Sequence, residues 1–400
     1  MLGWQNRSAD DLDLLTTIFW SAGMSRHVLA GRLDYSKSKA NALVAALLDE
    51  GLLDEVGLQD SSGGRRAETL QLSTSLGVLI GADFGATGMQ LAVFTPDLTV
   101  LARHAEAMDV RQGPGVVLAR MRVLMRELLV RCAVTAQQVI AIGIGVPGPV
   151  DFGRGQLVNP PLMPDWGGFS IRDYLSEDYA APVFVDNDVN LMALGELWRL
   201  QRRLENFLVI KIGTGIGCGI VVHGEVYRGA SGSAGDVGHI CVERSGPLCH
   251  CGNRGCVEAM AGAQAISRMA TEAAHAGRSP LLADQLLARG ALTAEDVAQA
   301  SRAGDIEANA IIQRAGNLVG EMLTSVVNFF NPSNVFIAGR IASMGPLFLA
   351  SVRQSVYQRS LALSTRQLEI QYTPLAGDAG LVGAGVLAMQ ESLKASGAMR

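Results

Sequence analysis

No apolar run in this chain reaches membrane-spanning length without interruption; the best candidates are broken by Asp83 or Lys211. The N-terminus carries no basic stretch followed by an apolar one, so no signal peptide is expected. Positive charge is not in excess either. The net charge is −5, so the chain as a whole does not advertise nucleic acid. Cysteine is sparse, six in 400 residues. Together these absences exclude a membrane protein and a disulfide-stapled secreted domain, and they make cytoplasmic residence with reduced thiols the expectation. What remains is a soluble, Gly- and Ala-rich globular chain, long enough for two or three domains.

Three of the six cysteines are concentrated in eight residues, Cys249, Cys251 and Cys256, a C-x-C-x4-C array. His239 stands ten residues before it, in the run Gly-Asp-Val-Gly-His. One histidine and three cysteines are enough to close a tetrahedral structural zinc site. Gly252 and Gly255 suit a tight knuckle between ligands. A metal here would fix the carboxylates beside it, Asp236 and Glu258. The alternatives are unligated thiols or a C-x-C redox pair, and His250 competes with His239 for the histidine role.

The first 75 residues read as helix, helix, turn, helix, hairpin. Leu12, Leu15, Ile18 and Phe19 recur at helical spacing; Ser25 is a candidate N-cap for a second helix with Val28, Leu29 and Leu33 inward. Ser36 caps a third, with Ala40, Leu43, Val44 and Leu47 on one face and Gly51 ending it. Leu52 to Val56 and Thr69 to Leu72 alternate as two strands around a Gly-Gly-Arg-Arg turn. That order is a winged helix-turn-helix, in which the first turn of the third helix faces base edges. Arg26, Ser36, Lys37, Ser38, Lys39 and Asn41 are therefore candidate DNA contacts, with Arg65 and Arg66 at the wing tip. The segment carries seven Lys/Arg against ten Asp/Glu, so the expectation rests on the order of elements and on local charge. A three-helix interaction module is the alternative.

From Gly77 the pattern changes. A buried strand, Val78 to Ala82, runs into Asp83-Phe84-Gly85-Ala86-Thr87 and returns through Met89 to Phe94. Phe207 to Ile212 runs into Gly213-Thr214-Gly215 and returns through Gly217 to Val222. The same strand, glycine turn and strand used twice predicts two α/β lobes, each with a turn that offers backbone N–H groups to a phosphate. A further strand, 182–185, ends in Asp186-Asn187-Asp188, where open α/β sheets place ligands. Asp188 is the candidate for accepting a proton from a sugar hydroxyl; capping the next helix is its alternative role, and Asp186 is a rival carboxylate.

These motifs together resemble the ROK family of sugar-responsive repressors and sugar kinases. The resemblance runs from the helix-turn-helix through Asn187-Asp188-Val189-Asn190, Gly195-Glu196, Gly213-Thr214-Gly215-Ile216-Gly217 and Gly238-His239 to the Cys249–Glu258 run. It implies an N-terminal winged helix-turn-helix (1–75) followed by an actin-like, hexokinase-like duplicated α/β domain (76–400) with a zinc loop at 239–258. It also implies zinc on His239, Cys249, Cys251 and Cys256, and sugar contacts from Asn187, Asp188, Asp236, His239 and Glu258, with Asp188 as catalytic base in kinase members. Asp83, Gly85, Thr87, Gly213, Thr214 and Gly215 match the ATP phosphate loops. Three positions depart from the family pattern. Asp236 replaces a Glu, Gly88 stands where kinases carry Lys, and Ala338-Gly339-Arg340 replaces the glycine-rich adenosine turn. The expected function is a sugar-responsive repressor of carbohydrate uptake or metabolism genes, binding operator DNA as a homodimer or homotetramer with a sugar or sugar phosphate as effector. The alternative is an ATP- and Mg2+-dependent hexose or N-acetylhexosamine kinase, alone or alongside DNA binding.

Overall fold

The computed structural model describes residues 7–58, 68–158, 160, 163 and 165–397. Its residues group into two compact units, 1–203 with 380–400, and 204–379. The first unit opens with α1 (Ala9–Trp20), α2 (Arg26–Arg32) and α3 (Lys37–Asp49), then the antiparallel strands β1 (Leu53–Leu58) and β2 (Glu68–Leu72). Ser8 closes a capping box with Asp11 at the start of α1, and the Ser36 hydroxyl accepts from the Lys39 N–H at the start of α3. Gly51, with φ +71°, follows α3 in the left-handed conformation expected of a glycine stop. Met24 exchanges backbone hydrogen bonds with Leu70, which ties the helices to the hairpin. Leu14, Leu15, Ile18, Leu29, Val44, Leu47 and Leu70 fill the core of this segment. The inward expectations hold only in part, with Leu33 and Leu43 half-buried. Leu14 is buried where Leu12 is only partly covered, and Val28 is 44% exposed because Leu29 and Ala30 take the inner face of a two-turn helix.

The same unit continues with β3 (Val78–Gly85), β4 (Gly88–Phe94), β5 (Val100–Ala107), α4 (Pro114–Arg131) and β6 (Val139–Val146). A small hairpin, β7 (Val150–Asp151) and β8 (Gln156–Leu157), precedes α5 (Ile171–Ser176), β9 (Val183–Asn187) and α6 (Asp188–Arg199). The sheet order is β5-β4-β3-β6-β9, with β3 antiparallel to β4 and parallel to β6. Its central strands β3 and β6 read as continuous apolar runs because both of their faces are covered.

The second unit repeats this plan. β10 (Phe207–Ile212), β11 (Ile216–Val222) and β12 (Glu225–Val226) form an antiparallel meander. The helices α7 (Val257–Ala261), α8 (Ala263–His275), α9 (Pro280–Arg289), α10 (Ala294–Arg302) and α11 (Ile306–Phe330) follow. Then come β13 (Asn334–Ala338), α12 (Gly345–Arg359), α13 (Ala362–Thr365) and β14 (Glu369–Tyr372). The order β12-β11-β10-β13-β14, with β10 parallel to β13 and β13 to β14, matches the first sheet strand for strand. The duplication expected from the two glycine turns is therefore present.

The last helix, α14 (Ala379–Gly397), groups with the first unit from Gly380 on. Of the stretch Gly377 to Gly385, which the sequence offers as a glycine-rich entry to this helix, Gly380, Gly383 and Gly385 lie inside it, because they permit close approach. A Cβ on Gly143 of β6 would stand 2.0 Å from the Ala384 carbonyl oxygen, and one on Gly383 would stand 1.8 Å from that of Leu191. Among the described residues no helix is long and apolar enough to cross a membrane.

This close approach sets a test of the packing. Gly143→Ala is expected to destabilise the protein by about 1–3 kcal/mol, because strand and helix must separate. Gly115→Ala, in α4 with open space around it, serves as the control and should be neutral or slightly stabilising. Urea denaturation of both checks this; equal midpoints would show that α14 does not lie as closely on β6 as described.

Candidate functional site

In the first unit, β9 ends and α6 begins at Asp186-Asn187-Asp188. The cap of α6 is Asn187. Its side-chain oxygen accepts from the Val189 N–H at 3.0 Å, and its amide donates to the Gly148 carbonyl at 2.9 Å. The capping role considered for Asp188 therefore belongs to its neighbour, and Asn is itself a preferred cap, so the residue type carried that signal. Asp188 is the first helical residue and is buried. Helix N-termini favour negative charge, and Asp188 stands at this one. The rival, Asp186, is spent on structure: it accepts from the Asn187 N–H at 2.7 Å and from the Asn190 amide at 2.9 Å. Asp83 is buried near the end of β3, and its carboxylate lies against Gly380 so closely that a Cβ there would stand 2.2 Å from Oδ2. Gly85 pairs with Gly88 across the turn formed by Ala86 and Thr87.

In the second unit, Gly213, Thr214 and Gly215 connect β10 to β11, closed by a Gly213 N–H to Gly215 carbonyl bond of 2.9 Å. The Gly213 carbonyl accepts from the Ala263 N–H, and the Ile216 N–H donates to Glu258 Oε2 at 2.9 Å. Glu258 thus braces the glycine turn from α7, a contact that spacing alone does not reveal. The turn after β13 starts at Gly339, with φ +90°, and Arg340 is exposed.

The cysteine cluster lies in the same unit. His239, Cys249, Cys251 and Cys256 present ligand atoms all within 4.8 Å of one another. His250 is not among them; its Nε2 faces Gln264 at 3.4 Å, so His239 is the histidine placed beside the three thiols. Gly252 and Gly255 have φ of +88° and +71°, and a Cβ on Gly255 would stand 1.6 Å from the Glu243 carbonyl oxygen. Both glycines of the knuckle thus take the left-handed backbone their spacing implied. His239 Nδ1 lies 3.5 Å from Cys249 Sγ, and Cys251 Sγ lies 3.6 Å from Cys256 Sγ. A tetrahedral ion with metal–sulfur bonds of about 2.3 Å needs sulfur–sulfur edges of roughly 3.8 Å and sulfur–nitrogen edges of about 3.6 Å. The donor set therefore fits a tetrahedral divalent ion. Burial pushes the Cys256 thiol up to about 12 and raises that of Cys249, while the Asn253 backbone N–H leads the groups that lower that of Cys251. Thiols so crowded resist ionising together, and a cation supplies the missing charge. The other ring nitrogen of His239 faces exposed Asp236, with Nε2 3.7 Å from Oδ1.

The proposed DNA-facing residues are placed by α2 and α3. Ser36, Lys37, Ser38, Lys39 and Asn41 are all exposed at the start of α3. Lys39 is engaged within the protein: it pairs with Asp10 at 2.8 Å and lies 3.8 Å from the Tyr35 ring centroid. Arg26 pairs with Glu55 on the hairpin. Arg65 and Arg66 lie outside the described residues.

The sequence pattern of the ROK family matches residues 79–391. The chain belongs to the ROK family. A putative xylose repressor from Caldicellulosiruptor sp. (strain Rt8B.4) is 28% identical over 392 residues, 97% of each chain. The crystal structure of a ROK family transcriptional regulator, a homologue of the E. coli MLC protein, aligns with a TM-score of 0.79 and 26% identity over 97% of this chain and 98% of that one. A glucokinase from Halalkalibacterium halodurans is 31% identical over 314 residues, 78% of this chain but 95% of the kinase. The duplicated α/β units are thus the actin-like, hexokinase-like fold of ROK repressors and kinases, preceded here by the winged helix-turn-helix elements.

The cluster sets a direct expectation. Purified protein should carry about one divalent ion per chain, since the four donors saturate a tetrahedral site. Cys251→Ser should lose the ion and lower the melting temperature by several degrees. Elemental analysis together with a melting curve checks both; metal-free protein that melts as the wild type does would show that the cluster is a set of plain thiols.

Proposed function

We propose that this chain is a sugar-responsive transcriptional regulator, a repressor of genes for carbohydrate uptake or metabolism. The observation that supports this best is coverage. The match to a putative xylose repressor spans 97% of both chains, whereas the glucokinase match leaves about a fifth of this chain unmatched. That surplus is a functional cost to a kinase and a necessity to a DNA-binding protein. In this reading residues 1–75 are the DNA-binding domain and 76–400 the sensor. The start of α3 enters the major groove with Lys37, Ser38, Lys39 and Asn41, while Arg26, Ser36, Arg65 and Arg66 meet the backbone or the minor groove. The protein acts as a homodimer or homotetramer, resides in the cytoplasm with its operator, and carries zinc on His239, Cys249, Cys251 and Cys256. Asn187, Asp188, Asp236, His239 and Glu258 contact the hydroxyls of a sugar or sugar phosphate. Zinc held through His239 Nδ1 fixes the orientation of that ring, so its Nε2 is aimed at a hydroxyl.

A second reading, an ATP-dependent sugar kinase, is favoured by buried Asp188 at a strand end and by the 31% identity to a glucokinase. Asp83, Gly85, Thr87, Gly213, Thr214 and Gly215 would then hold ATP with Mg2+, and Asp188 would take the proton of the attacking hydroxyl. Exposed Arg340 in the adenosine turn and the missing Lys at Gly88 weigh against efficient transfer.

The double variant Lys37→Ala with Lys39→Ala tests the DNA-binding reading. Operator affinity should fall, and the slope of log affinity against log salt should shrink by about 0.9 for each phosphate that is no longer neutralised. Sugar binding, measured by calorimetry with a panel of pentoses, hexoses and N-acetylhexosamines, should be unchanged. Wild-type DNA affinity at every salt concentration would mean that α3 does not read DNA.

A further inference from the structure

An aromatic cluster is left without a role by the reading above. Phe19 and Trp20 end α1, and Trp198 lies in the last turn of α6. The Phe19 and Trp198 ring centroids are 4.4 Å apart, those of Trp20 and Trp198 5.9 Å, and the Arg202 guanidinium lies 4.2 Å from the Trp20 centroid. The opposite end of α6 is the Asn187-capped turn that presents Asp188. Every residue from Asp188 to Leu197 is buried, and Gly383 of α14 lies directly on the Leu191 carbonyl. A helix of 12 residues spans roughly 18 Å. Packed on all sides at interior density, it shifts as a body and does not flex. Beyond it, Gln201 and Arg202 both take the left-handed backbone, φ +49° and +56°, just before the chain passes from the first unit to the second between Arg203 and Leu204. At the far end of α1, Asp10 accepts from the Tyr35 hydroxyl at 2.7 Å and pairs with Lys39 at the start of α3.

We propose that α6 and α1 form a two-helix lever that couples sugar to DNA. Sugar at Asp188 displaces α6; Trp198 passes the displacement to Phe19 and Trp20; and α1, through Asp10, resets Lys39 and the first turn of α3. The lever rests on the regulator reading above. Trp198 and Arg202 are positioning residues in this scheme, since they touch neither sugar nor DNA.

The test uses full-length wild type, Trp198→Leu and Arg202→Met, with Leu128→Ala, a core change in α4 off the route, as a control for reduced stability. Operator affinity is measured by fluorescence anisotropy with and without the member of a D-xylose, D-glucose and N-acetyl-D-glucosamine panel that changes wild-type binding most. Sugar affinity is measured by calorimetry. Wild type should show a sugar-dependent change in the ordinary allosteric range of about 5–150-fold. In both route variants that ratio should collapse to under about twofold, while sugar affinity and sugar-free operator affinity stay within about threefold of wild type. Leu128→Ala should keep the wild-type ratio. Where Trp198→Leu does not fold, Arg202→Met decides alone. Full wild-type ratios in the route variants would overturn the lever while leaving the regulator reading intact. A wild-type protein whose operator affinity no sugar changes would instead overturn that reading, and the lever with it.

Discussion

The hydrogen bonds of one asparagine set the geometry on which the first unit's chemistry depends. By capping α6 and gripping the Gly148 carbonyl, Asn187 fixes both where the strand stops and where the helix starts. Asp188 consequently enters the helix as its first residue, with its carboxylate in the field of the N-terminal dipole. Asp186, one residue upstream of the cap, is consumed in holding the turn. Two neighbouring carboxylates thus acquire different work from their environments alone. A one-residue slip in the start of α6 would undo that division.

In the second unit the corresponding constraint is the knuckle built on Gly252 and Gly255. Left-handed backbone at both positions brings three thiols and one imidazole to tetrahedral spacing. Glu258, two residues past the last thiol, then reaches back to the Ile216 N–H and braces the glycine turn. Thiols, imidazole, carboxylate and turn are therefore mechanically one assembly. A regulator and a kinase share this need for a sugar held rigidly by fixed groups. They differ in what lies beyond it: in-line ATP for the kinase, and a lever to a DNA-reading helix for the regulator.

Much of this was legible in the chain. Strand–glycine–strand units and their repetition depend on local periodicity and backbone permissiveness, and both lobes appear as read. The cysteine spacing pointed to the cluster of His239 and three thiols for the same reason, since groups close in sequence need only a tight turn to converge. Residues whose roles depend on distant partners were opaque. Asp10 gives no local sign that it holds Lys39, and Phe19 reads only as a core position until Trp198, remote in sequence, is placed against it. Gly380 to Gly385 read as the entry to a helix because glycine lowers helix propensity; close approach to β6 and α6 is the tertiary reason they lie inside α14. Val28 failed similarly, since a two-turn helix buries too narrow a face for periodicity to locate.

The most direct test of the account is a sugar titration of operator binding, run beside a coupled assay for ADP release on the same preparation. One sugar should shift operator affinity by about 5–150-fold while phosphoryl transfer to it remains negligible. Operator affinity indifferent to every sugar, together with turnover near the common enzymatic rate of about 10 per second that Asp188→Asn abolishes, would contradict the regulator reading.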